Sequence, residues 1–190
     1  PRLQKAIPGY KPGLDWVIPE IIRETMMATQ IAFARAVRPS DTGAIPRYMH
    51  RLMMDGMVFG HKRRIVGASV LIDCSGSMCV TQQEVLTITK YFPAGIVAGY
   101  AGNELRILAE KGRVVVQAPP RWQVTNECDG PALEWLLRQS APRFWISDMG
   151  VSLRGDSFDQ DATNHCEALR RWGQVTRIPT MIAALNKLKQ

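Results

Sequence analysis

The chain has 190 residues, 46% of them hydrophobic, which is enough for a proper core and excludes a disordered tail; one domain with an appendage is expected. Lys and Arg outnumber Asp and Glu by 24 to 17, and the formal +7 suits either a polyanionic partner or simple solubility. The excess is local, because Arg35, Arg38, Arg47, Arg51, Lys62, Arg63 and Arg64 share their segment with only Asp41 and Asp55. Cys74, Cys79, Cys128 and Cys166 form no CxxC pair and read as reduced thiols. No apolar run approaches the ~18 residues that span a bilayer, and the N-terminus lacks the layout of a signal peptide. A cytoplasmic protein without a membrane partner is the expectation.

Residues 1–19 carry Pro1, Pro8, Pro12 and Pro19 without a sustained period, the pattern of an extended arm that lies on something. In "EIIRETMMATQIAFARAV", Ile22, Met26, Ile31, Phe33 and Val37 fall near a helical stripe between Pro19 and Pro39, which predicts one amphipathic helix. After the loop "RPSDTGAIP", the stretch "RYMHRLMMDGMVFG" predicts a second short helix closed by Gly56 or Gly60, with its methionines as core filler. Residues 1–63 are therefore taken as an arm and a helical segment.

From residue 64 the grammar changes. "RRIVGASVLID" is a nearly continuous β-branched run that ends on a charge, as a strand buried on both faces of a parallel sheet does. "TQQEVLTITKYF" predicts a helix, "AGIVAGYAG" a second buried strand, and "LRILAEKGRVVVQ" a hairpin turning at Lys111-Gly112. "GPALEWLLRQ" follows as a helix, "RFWISD" as a strand, "FDQDATNHCEALRRWG" as a helix closed by Gly173, and "IPTMIAALNKLKQ" as a last helix. Strands alternating with helices give an α/β domain over residues 64–190, an open, mostly parallel sheet with helices on both faces.

In such sheets the working site lies at the carboxyl ends of the strands. There "VLIDCSGSM" places Asp73, Ser75 and Ser77 on alternate residues around Gly76, offering one carboxylate and two hydroxyls to a common point. Oxygen-only ligands suit a hard cation, and few carboxylates leave a coordination position open. The plainer reading is a strand-to-helix turn in which Ser75 or Ser77 caps the helix.

"DCSGS" resembles the D-x-S-x-S signature of von Willebrand factor A (vWA) domains, whose metal-ion-dependent adhesion site adds a ligand from a second loop and an aspartate from a third. "WISDMG" is similar to the family's strand-ending "ISDG", with Met149 intervening before Gly150, and the resemblance implies Asp148 as the distal ligand. Five residues before Ala132 stands Glu127, where the family usually has Thr. "TNECDGPALEWL" resembles instead the corresponding loop of CobT-type cobaltochelatase subunits, which work with AAA+ ATPases, so Thr125, Glu127 and Asp129 all stand as candidates for the second-loop ligand. The resemblance spans about residues 64–190 and implies a Rossmann-like vWA fold. It also implies a Mg²⁺ site, open to Mn²⁺ or Ca²⁺ on ligand type, which accepts a partner's Asp or Glu. The protein would then be a non-catalytic adaptor or substrate-presenting subunit with an AAA+ partner.

Two other classes remain open: a structural assembly protein of a particle or virion, and a nucleic-acid-binding module using residues 35–64. No G-x-G-x-x-G, Walker A loop, G-x-S-x-G elbow or zinc-ligand spacing is present, which argues against nucleotide or hydrolase chemistry by this chain.

Overall fold

The computed structural model describes residues 8, 10–11, 13–28, 37–62, 67–76, 78, 80–115, 127–153 and 158–188. In chain order these form β1 (Glu20–Arg23), β2 (Met26–Ala28), β3 (Val37–Ser40), β4 (Phe59–Lys62), β5 (Ser69–Asp73), α1 (Gln82–Tyr91), β6 (Ile96–Ala101), β7 (Glu104–Glu110) and β8 (Arg113–Val115). There follow α2 (Asp129–Leu137), β9 (Arg143–Ile146), α3 (Gln160–Trp172), β10 (Thr176–Ile178) and α4 (Met181–Leu188).

The main sheet runs β10-β9-β5-β6-β7-β8-β2, with β1 paired to the first half of β7 beside β8. Pairing is parallel from β10 through β9 and β5 to β6, and antiparallel from β6 through β7 and β8 to β2. Every residue of β5 is buried, because both faces of the sheet are covered. Period-2 alternation sends Val70 and Ile72 into a core with Val85 and Ile88 of α1 and Met181 and Ala184 of α4. It sends Leu71 to the other core, with Leu133 and Leu136 of α2 and Cys166 and Leu169 of α3. The molecule is thus a mixed α/β fold around a mostly parallel sheet, as the alternation of elements predicts.

Local signals set the element ends. Thr81 caps α1 in a reciprocal box: its hydroxyl accepts from the Glu84 amide, and the Glu84 carboxylate accepts from the Thr81 amide. The β7–β8 hairpin turns at Lys111-Gly112, both at positive φ (49° and 75°), the combination that a tight two-residue turn requires. Asp159 caps α3 through the Ala162 amide, and Gly173 follows its last turn.

The N-terminal third departs from expectation. The predicted helix over Glu20–Val37 is replaced by β1 and β2 up to Ala28 and by β3 from Val37; residues 29–36 lie outside the described residues. The apolar stripe was irregular, with gaps of two and five residues, while β7 and β8 present edges whose amides and carbonyls need partners. Sheet pairing therefore prevails over weak helical periodicity. Arg106 reinforces it by bonding Glu24 at 2.6 Å beyond the end of β1.

The second predicted helix is reduced to one 3-10 turn, Met49–Arg51, on the connection between β3 and β4, which form a separate two-stranded sheet. Its methionines are not core filler: Met53 is 94% and Met54 79% exposed, since a two-stranded ribbon has no second layer to cover them. A short strand that the sequence reading missed, β10, adds an edge beside β9.

The arm lies on the chain's own helices. Tyr10 donates to Glu134 of α2 at 3.4 Å and stacks against His165 of α3 at 4.6 Å between ring centroids. Lys11 pairs with Asp161 at 2.5 Å, and its amide donates to His165 Nδ1 at 3.4 Å. Among the described residues, no helix is long and apolar enough to cross a membrane.

Candidate functional site

The parallel strands of the main sheet lie in the order β6, β5, β9, β10, so the chain winds from β5 to β6 on one side of β5 and later returns to β9 and β10 on the other. The direction of winding reverses between β5 and β9, and open α/β sheets bind ligands in the crevice at that point. Asp73 ends β5, and Ile72 pairs in register with Ile146, so Asp73 and Ser147 leave the sheet side by side.

Asp73 is fully buried. Its Oδ1 accepts the Ser75 amide at 2.9 Å and its Oδ2 accepts the Ser147 hydroxyl at 3.0 Å. Ser147 in turn accepts the Met149 amide at 3.0 Å, which fixes the turn in which Met149 takes a positive φ of 75°. Asp148 is exposed at the mouth of this turn, and its Oδ1 accepts the Gly150 amide at 3.1 Å. Met149, between Asp148 and Gly150, therefore takes a left-handed backbone, while the Asp148 carboxylate stays exposed.

Asp129 opens α2 and is also fully buried. Its Oδ1 accepts the Tyr100 hydroxyl at 2.7 Å, and that hydroxyl accepts the Trp145 indole N–H at 3.0 Å. Its Oδ2 has no partner among the described residues, although the atom is buried. Burial, then the charge of Asp73 and the charge of Asp148, hold the Asp129 carboxyl well above the usual carboxylate range. Burial likewise pushes up the thiols of Cys74, Cys128 and Cys166, with nearby carboxylates adding to it, so these cysteines are protonated fillers rather than nucleophiles.

Of the sequence candidates, Asp73, Ser75, Asp129 and Asp148 thus come to one edge of the sheet. Glu127 is half-buried just before α2, with its carbonyl taken by the Val17 amide at 3.2 Å. Ser77 and Thr125 lie outside the described residues. The helix-cap role considered for Ser75 or Ser77 falls to Thr81 instead. Among the described residues no three His, Cys, Asp or Glu side chains converge as a ready metal-holding group. A buried carboxylate oxygen without a donor among the described residues, in the field of two further carboxylates, has the oxygen chemistry that a hard cation takes.

Sequence reasoning missed Ser147, Tyr100 and Trp145. Ser147 had a signal, a polar residue breaking the apolar strand immediately before Asp148. Tyr100 and Trp145 had none, because each sits in a run that reads as ordinary strand core and their polar atoms meet only in the folded sheet.

Elsewhere, Arg51 of the basic segment bonds Asp55, and Arg35, Arg63 and Arg64 lie outside the described residues. No family model, curated protein or solved structure matches the chain.

Proposed function

We propose that the protein is a metal-dependent protein-binding module of the vWA type. Asp73, Ser75, Ser77, Asp129 and Asp148 would hold Mg²⁺, and the cation would supply a positive centre with a coordination position open to an Asp or Glu of a partner protein. The observation that carries this reading is the buried, unpartnered Oδ2 of Asp129 at the β5/β9 crevice, where Asp73 and Asp148 add charge of the same sign. A cation relieves that repulsion.

The chain's own groups do the positioning. Ser147 and the Ser75 amide hold the Asp73 carboxylate in place, and Tyr100 orients Asp129 from beneath while leaving its second oxygen unused. The exposed Asp148 sits at the rim, where an incoming acidic side chain would meet the site. Two buried carboxylates tighten the cation and lower its appetite for a further one, which favours a partner that contributes additional contacts. By the CobT-type resemblance that partner is an AAA+ ATPase, and this chain is its adaptor or substrate-presenting subunit.

The test is a pull-down from native lysate with the protein as bait, in Mg²⁺ and in EDTA, with Asp73→Ala alongside. A partner held only by the unaltered protein in Mg²⁺ supports the reading. The same partners held in EDTA and by the variant would end it and turn attention to the arm and residues 35–64.

A further inference from the structure

The arm reaches the candidate site from behind. The Trp16 indole packs so closely on Gly130 that a Cβ there would come within 2.6 Å of its Cε2 and 2.8 Å of its Nε1. One residue further along the arm, the Val17 amide donates to the Glu127 carbonyl at 3.2 Å. Glu127 and Gly130 bracket Asp129, so two consecutive arm residues pin the backbone on both sides of a buried carboxylate oxygen that lacks a donor among the described residues. The arm is itself fastened to α2 and α3 through Tyr10–Glu134 and Lys11–Asp161, with the Tyr10 and Trp16 rings against His165. Cys128, which precedes α2, makes no side-chain cap, so this helix start owes its placement to packing rather than to a local hydrogen-bonded box like that of α1.

We infer that residues 10–11 and 13–17 act as a strap that positions Asp129 for its ligand, and that Trp16 sets the cation affinity of the crevice through its contact with Gly130. Trp16 is a positioning residue: its buried indole nitrogen bonds no partner among the described residues, and it acts by fixing the first turn of α2. The inference rests on the metal-binding reading above for the identity of the ligand. Its structural content, an N-terminal strap controlling the exit of α2, goes beyond that reading.

Gly130 supplies an independent handle. Any side chain there displaces the indole, so Gly130→Ala loosens the strap from the helix side while Trp16→Ala removes it from the arm side. Trp16→Phe keeps an aromatic plate on Gly130. Groups that orient a metal ligand without touching the metal are worth about tenfold or more in affinity. Two changes that break one contact do not add.

The experiment measures Mn²⁺ affinity of the full 190-residue chain by electron paramagnetic resonance, with amide hydrogen exchange over residues 10–17 followed in parallel. Expected are about tenfold weaker Mn²⁺ binding for Trp16→Ala and for Gly130→Ala, no further loss in the double variant, and recovery in Trp16→Phe. A purely structural role for Trp16 would lower stability but leave the affinity of the folded protein unchanged. If Trp16→Ala does not fold, Gly130→Ala against Trp16→Phe decides. Variants whose arm exchanges freely yet bind Mn²⁺ as the unaltered protein does overturn the strap and leave the metal site standing. An unaltered protein that binds no Mn²⁺ overturns both.

Discussion

Ser147 at the end of β9 donates its hydroxyl to Oδ2 of Asp73 at the end of β5, 3.0 Å across the point where the sheet reverses its winding. Neither residue is exposed, so this bond joins the two strands that carry the candidate site and satisfies half of a buried carboxylate.

Ser147→Ala leaves Asp73 Oδ2 buried without that donor and removes the acceptor of the Met149 amide. A loss of about 1–3 kcal/mol is expected in chelator. Urea denaturation in EDTA measures it; a change below about 0.5 kcal/mol, the range of ordinary surface substitutions, would show that the bond contributes little.

Asp129→Asn keeps the shape of the side chain and removes its charge. Burial, then Asp73 and Asp148, raise the Asp129 pKa in the folded state above its ordinary 3.8, so the folded chain holds this proton more tightly than the unfolded chain does. Its contribution to stability is therefore fully present below 3.8 and is lost as pH rises through the folded value. In EDTA at neutral pH the variant should be the more stable protein, with the advantage vanishing in acid. Added Mg²⁺ should stabilise only the unaltered chain. Denaturation curves across pH, with and without Mg²⁺, check both statements, and a variant less stable at neutral pH in EDTA would contradict the first.

His165 titrates with the opposite sign. Burial lowers its pKa below the ordinary 6.5, outweighing the opposing effect of the Lys11 backbone, so the unfolded chain binds the proton first. Stability from this group is full above 6.5 and declines as pH falls toward the folded value. The charged groups around it are Lys11 of the arm with Asp161 of α3, and Glu134 of α2, which engages Tyr10. His165→Phe preserves ring packing against Tyr10 and Trp16 and should remove this part of the acid slope, seen as a difference between the two denaturation profiles below pH 6.5. Identical slopes would mean that His165 stays neutral through unfolding or protonates without cost.

Met53→Lys and Met54→Lys should each change stability by less than about 0.5 kcal/mol, because side chains this exposed give up no core contact. A loss above about 1 kcal/mol in urea would show that the β3–β4 connection is packed against something in solution.

The sequence alone determined the α/β core and the strand ends at which Asp73 and Asp148 leave the sheet. Buried strands at residues 69–73, 96–101 and 143–146, the hairpin at Lys111-Gly112 and the four helices were each legible, because a strand covered on both faces must be continuously apolar and a turn at positive φ must use residues that tolerate it. Asp73 and Asp148 were legible as charges ending such strands. What only the tertiary structure decided were matters of long-range partnership. Residues 20–28 became strands because β7 and β8 had open edges, and the methionines near residue 53 stayed exposed because no second layer covers their ribbon. The choice to bury Asp129 with one oxygen unused, the Ser147 bond and the Trp145–Tyr100–Asp129 chain likewise depend on groups dozens of residues apart meeting at one sheet edge. Local pattern marks an element where its period is strong, as in the buried strands and the four later helices; it carries no information about which open edges or buried polar atoms will find each other.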